Sequence, residues 1–167
     1  MAQEPPKDPV KYVETNVYLP YRYIAGDYRA RAMHGLKNKK FVGSKDSKTG
    51  KVFVTPIVNS PESFAPCDEF VEVSDKGVVT TFCVVCIPVI GREIELPYVA
   101  ASVALDGADI SIFAAIQECK APDVRMGMRV EAVWKSDGER QGNHEDILYF
   151  RPTGEPDAPL ESFIHRL

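Results

Sequence analysis

The chain has 167 residues, 44% of them hydrophobic and 26% charged, and a formal net charge of -4. That is enough chain for one sizeable domain, or for a small module beside a small barrel. The acidic balance argues against a dedicated nucleic-acid binder, whose affinity rests largely on neutralising phosphates.

Residues 1–20 are polar and proline-rich, without the apolar core of a secretory signal. They read as an extended arm, decorated by Tyr12 and Tyr18, with Tyr21 and Tyr23 just beyond. Tyrosine buries ring area while its hydroxyl stays paired, so such an arm either anchors on another protein or packs on its own domain. From Arg22 to Lys37, the residues Tyr23, Ile24, Tyr28, Ala32, Met33 and Leu36 recur at helical spacing. Gly26 interrupts this stretch, so the helix is expected after it, with Asp27 as N-cap, ending at Gly35 and the Lys37–Lys40 run. Phe41–Gly43 and Lys51–Pro56 flank a polar, glycine-containing turn and predict a hairpin. Residues 57–67 lack a period and read as a loop.

Beyond Cys67 the pattern is β. Val71 and Val73, then Val78 to Ile87, predict one long strand or two, broken at Asp75–Gly77. The longest apolar run, Val78 to Ile90, is too short to cross a bilayer. Pro97 to Leu105 alternates, with Val99, Ala101, Val103 and Leu105 on one face. Asp106–Gly107 is a turn signal, and Ile110, Ile112, Ala114 and Ile116 share a face of the next strand. Gly127–Trp134 and Asp146–Phe150 supply the last two strands across a polar loop at Ser136–Asn143. Five strands with a long, bent first strand suit a Greek-key barrel of OB type, and an ordinary β-sandwich nearly as well. A proline-containing tail then leads to the amphipathic end Leu160–Leu167.

The order of parts resembles an acyl-CoA-associated family in which an N-terminal helix and a rubredoxin-like zinc ribbon precede an OB-fold. The resemblance is carried by Gly43-Ser44, Gly50-Lys51-Val52 with Pro56, Val71 to Gly77, Pro97-Tyr98-Val99, Val103 to Gly107, Val124 to Val130 and Phe150-Arg151-Pro152. It implies a mainly β fold in four parts. These are an arm and helix (1–40), a degenerate ribbon hairpin (41–68), a five-stranded OB-fold barrel (69–152) and a tail (153–167). It also implies a non-catalytic accessory subunit that completes a thiolase-like enzyme, either a thiolase or a lipid-transfer-type aldolase of steroid side-chain breakdown. A MaoC-type enoyl-CoA hydratase is the alternative partner, and single-stranded nucleic acid the alternative ligand of an OB-fold. The expected assembly is a cytoplasmic hetero-oligomer with two copies of this chain. A CoA thioester would be held at the complex, and the chain would have no cofactor of its own.

Zinc in such a ribbon needs paired Cys-x-x-Cys turns. Here the first pair falls on Asp46 and Thr49, and of the second only Cys67 remains, with Phe64 three residues earlier, so no metal is expected. Cys83-Val84-Val85-Cys86 has the spacing but lies in an apolar strand, and reads as buried structural cysteine. His34, His144 and His165 stand in no nucleophile or paired-histidine motif. His144-Glu145-Asp146 reads as a solvated loop rather than an acid–base cluster, and Asp106 with Asp109 as turn residues rather than a cation site. The basic first third, Arg22 to Lys51, suits either CoA phosphates or solubility. The residues expected to meet a partner are Tyr18, Tyr21, Tyr23, Tyr28, Met33, Leu36, Phe163 and Ile164.

Overall fold

The computed structural model describes residues 15–88 and 95–166. The first part of the arm, with Tyr12, and the end of the Val78–Ile90 run lie outside the described residues.

Helix α1 spans Gly26–Lys37. The chain enters it through Ala25, which offers no side-chain acceptor. Asp27, expected as the cap, sits inside the first turn and pairs with Arg31 at 2.9 Å, where its charge still complements the helix dipole. Gly35 is not the end of the helix but a contact point. A Cβ there would lie 2.6 Å from Val42 Cγ2 and 3.0 Å from the Lys40 carbonyl oxygen, so glycine lets the helix lie directly on the following strand. Asn38 closes α1 by donating its side-chain amide to the His34 carbonyl at 2.8 Å.

Strands β1 (Phe41–Lys45) and β2 (Val52–Phe53) form the expected hairpin, in the register Ser44 opposite Phe53 and Lys45 opposite Val52. Strand β3 (Glu69–Val73) was expected to enter the barrel. Instead it pairs along its whole length with β1, Phe41 opposite Val73 through Lys45 opposite Glu69, which makes a three-stranded sheet in the order β2-β1-β3. Ser74 and Asp75 then separate it from β4.

The barrel is built from β4 (Lys76–Val85), β5 (Tyr98–Leu105), β6 (Ile112–Ile116), β7 (Arg129–Trp134) and β8 (Ile147–Pro152). It closes in the order β4-β5-β6-β8-β7, with a parallel contact between β6 and β8 at Ile116 and Phe150. This is a five-stranded Greek-key barrel of OB type. Alternation along β5 puts Val99, Ala101, Val103 and Leu105 inside, where they meet Val79, Ile116, Val130 and Phe150. Leu36 of α1 and Phe41 and Val73 of the small sheet belong to the same buried cluster, so helix, hairpin and barrel share one core. The register shifts between Val79 and Thr81. Beyond that bulge β4 runs past the barrel body, leaving Phe82, Cys83 and Val84 exposed. Cys83 and Cys86 are therefore both exposed rather than buried. The apolar composition of the strand had suggested the opposite.

The tail folds back on the barrel through short 3-10 turns at Leu160–Ser162 and Ile164–Arg166. Ala158 donates its amide to the Gly127 carbonyl at 2.8 Å, and Phe163 packs with Val78, Ala104 and Ala158 in a second small cluster.

Candidate docking site

Three places hold residue types capable of chemistry, and in each those residues are engaged in structural bonding. In the hairpin turn, the Asp46 carboxylate is buried. Its Oδ1 accepts the amides of Lys48 at 2.8 Å and Thr49 at 3.2 Å, and its Oδ2 accepts the hydroxyls of Thr49 and Ser63, both at 2.7 Å. Burial alone would push this carboxyl up. The bonds from Thr49, Ser63, the Lys48 amide and Ser60 outweigh it and hold Asp46 well below the usual carboxylate range. Cys67 is buried nearby, its thiol pushed up by burial first and by Asp46 and Asp68 next. Phe64 points to solvent. Ser63, which the cysteine spacing had passed over, supplies the fourth bond instead. A carboxylate saturated by protein donors, a threonine and a single protonated thiol do not make a tetrahedral zinc set. Ser44 and Ser60, also buried, add bonds to Ile57, Glu62 and Ser63. The ribbon is thus tied by a polar network.

The second place is His144–Asp146. It is a 3-10 turn capped by Asn143, and Asp146 is buried rather than solvated. Its oxygens accept the amides of Gln141 (2.9 Å), Gly142 (2.6 Å) and Asn143 (3.2 Å). Burial raises its affinity for a proton, but these three backbone bonds bring it below the ordinary value. A carboxylate engaged in this way is a cap, not a base. The third place is the pair of turn aspartates. Asp109 accepts the Val52 amide at 2.8 Å and so ties hairpin to barrel. Asp106 forms a two-pronged pair with Arg129, whose guanidinium is driven further up by that bond. Among the described residues no group of histidine, cysteine, aspartate and glutamate is placed to hold a metal ion.

What remains available is apolar surface. Val17, Tyr18, Leu19, Tyr21, Tyr23 and Ile24 are exposed along the arm. A groove of about 440 Å³ opens where the arm joins α1, walled by α1, the hairpin, β6 and β8. Its apolar lining includes Met33, Val42, Ile112 and Leu148; Arg29 and His144 are its ionisable groups besides Tyr23, and no carboxylate lines it. Around the corner lies the outer face of β4, β5 and β6. Gly77–Val85, Tyr98–Leu105 and Ile112–Ile116 contain no Asp, Glu, Lys, Arg or His. Phe113 stands on that face opposite Ser102 and is 86% exposed. A large aromatic left in water on an uncharged sheet marks an interaction surface.

The residues expected to meet a partner divide accordingly. Tyr18, Tyr21 and Tyr23 lie on the exposed arm, where Tyr23 accepts a hydrogen bond from Arg29. Met33 and Tyr23 line the groove, and Ile164 is exposed. Tyr28 is half-buried against Phe70, its ring centroid 4.9 Å away. Leu36 is buried in the chain's own core at 6% exposure and also forms part of the groove wall, whereas Phe163, at 2%, is consumed by the second cluster and is withdrawn from the partner surface. Phe113 and Leu148 were not singled out from sequence, and Arg29 only as one of the basic residues of the first third. The one signal for Phe113 is an aromatic at an outward position of an alternating strand.

With barrel order, ribbon and apolar surface in place, the class is an OB-fold domain protein with an N-terminal helix and hairpin. Residues 70–135 match the ChsH2 C-terminal OB-fold domain. A DUF35 domain-containing scaffold protein of Methanocaldococcus jannaschii is 41% identical over 75 residues, which is 42% of this chain and 52% of that protein. The chain therefore spans about half the length of that curated relative. Among solved structures, the Ltp2-ChsH2(DUF35) aldolase superposes with a TM-score of 0.57 at 22% identity, over 78% of this chain and 98% of that one. A DUF35 protein of unknown function from Sulfolobus solfataricus gives 0.55 at 18% identity, over 74% and 81%. Residues 70–135 of this chain are thus similar to the OB-fold of the DUF35/ChsH2 family. Among the described residues no helix is long and apolar enough to cross a membrane.

Proposed function

We propose that this chain is a non-catalytic accessory subunit that binds and completes a thiolase-like acyl-CoA enzyme, either a thiolase or a lipid-transfer-type aldolase. The observation that carries the reading is the uncharged outer face formed by Gly77–Val85, β5 and β6, with Phe113 exposed on it. An OB-fold that holds single strands uses this same face, stacking bases beside phosphate-neutralising cations. Without lysine or arginine, that face suits a protein contact instead. Support also comes from the relatives, one described as a scaffold protein and one as an aldolase containing ChsH2. Nucleophile, base and oxyanion hole would reside in the partner. This chain's part would be to close the site and exclude water, with any CoA thioester held at the junction.

The test is co-expression with a thiolase-like enzyme encoded beside this chain, followed by mass determination of the purified assembly. The expected product is a hetero-oligomer with two copies of this chain around a partner dimer. Association with a MaoC-type hydratase in its place would move the partner class. Cleavage or hydration of an acyl-CoA by the isolated chain, or salt-sensitive binding of single-stranded oligonucleotides, would overturn the proposal.

A further inference from the structure

The groove beside α1 has a feature that its apolar lining does not explain. Strand β6 is paired with β5 over its full length, Ile112 opposite Val103 through Ile116 opposite Val99. On its other side Ile116 is the residue in register with β8, opposite Phe150. Ile112 to Ala114 therefore have no strand on that edge among the described residues. The Gln117 amide donates to the Phe150 carbonyl at 2.9 Å, so the odd-numbered residues turn their backbone groups away from β5. In an antiparallel ladder the N–H and C=O of one residue point the same way, which aims those of Phe113 at the open edge. Ser111 to Ala115 all line the groove. An unpaired strand edge inside an apolar groove is a template for one more strand.

Resting on the accessory-subunit reading, we propose that the free edge of β6 takes an extended, largely apolar segment of the partner enzyme by strand addition, an acidic side chain of that segment meeting Arg29. Main-chain bonds to Phe113 would supply register, and the pockets between Met33, Ile112 and Leu148 would select side chains. Charge decides the occupant. The groove offers a cation, Arg29, and a histidine but no carboxylate. The arm of a second copy would bring Arg22 toward Arg29, and Pro20 interrupts its run of backbone donors. The tail of this chain is already spent on Val78 and Ala104 through Phe163. An apolar strand carrying an acid is the complement that remains.

Amide exchange measured by mass spectrometry on the full chain, alone and with the co-purified thiolase-like enzyme, tests this. The amides of 111–115 are expected to slow about tenfold or more on association. Phe113→Pro deletes an edge donor without touching the β5 ladder, and is expected to weaken association about tenfold or more while circular dichroism stays unchanged. Arg29→Glu is expected to weaken it as well. Should Phe113→Pro misfold, the exchange result on the unmodified chain still decides. Association without slowing at 111–115 overturns strand addition and leaves the accessory role standing, whereas no association overturns both. A dimer of the chain alone that protects the same amides gives the edge to a second copy and overturns the proposal.

Discussion

Phe163 offers the most direct test of how the tail is used. Sequence placed it on the partner surface, whereas the structure buries it to 2% exposure against Val78, Ala104 and Ala158. A buried phenylalanine removes about 150–250 Å² from water, which at about 25 cal/mol per Å² gives roughly 4–6 kcal/mol as an upper bound. The cluster is small and lies under a tail, so Phe163→Ala lets the site collapse, and about 3 kcal/mol, the low end for such truncations, is expected. For a chain of this size that lowers the melting temperature by about 6–12 °C. Urea unfolding of the isolated chain, followed by the fluorescence of its single tryptophan, Trp134, reads the change. The neighbouring Ile164 is 54% exposed, and Ile164→Ala should cost less than about 0.5 kcal/mol. Equal and small effects of the two substitutions would refute the plug role and return Phe163 to an external contact.

Asp46 and Asp146 both sit below their ordinary values when folded. Their contribution is therefore fully present above the unfolded carboxylate pKa of about 3.9 and is lost as pH falls below it. Acid titration of stability should show this loss, and the combined Asp46→Asn and Asp146→Asn variant should flatten it. Thiol labelling should modify Cys83 and Cys86 in the native chain and spare Cys67 until unfolding, as their exposure dictates. Gly77→Ala would place a Cβ 2.5 Å from the Ala104 carbonyl oxygen, on backbone that cannot give way. A loss of stability of about 1–3 kcal/mol is expected, measured by denaturant unfolding. Metal analysis of purified protein is expected to find no stoichiometric zinc, and chelation should leave the melting curve in place; about one zinc per chain would sink that reading.

The barrel strands were legible because a two-residue period is written directly into residues such as Val99, Ala101, Val103 and Leu105. Pairing partners are not written that way. Glu69–Val73 reads as a strand, but nothing in it distinguishes β1 from a barrel neighbour. Phe163 misled because a lone aromatic in a proline-broken tail has no period to orient it. Cys83 and Cys86 misled because an apolar run implies burial only while the strand stays within the barrel, and β4 runs past it. Ser63 escaped notice because a search for metal ligands discards hydroxyls. The groove was invisible to pattern reading, since its walls come from α1, the hairpin, β6 and β8, which are distant in the chain.

The carboxylate at the hairpin turn also sets what this module depends upon in a cell. A thiolate–zinc knuckle folds only where metal is supplied and cysteines are kept reduced. A turn gathered by Asp46 around Thr49 and Ser63 uses neither resource. Oxidants and chelators have little there to attack, and protons become its natural adversary.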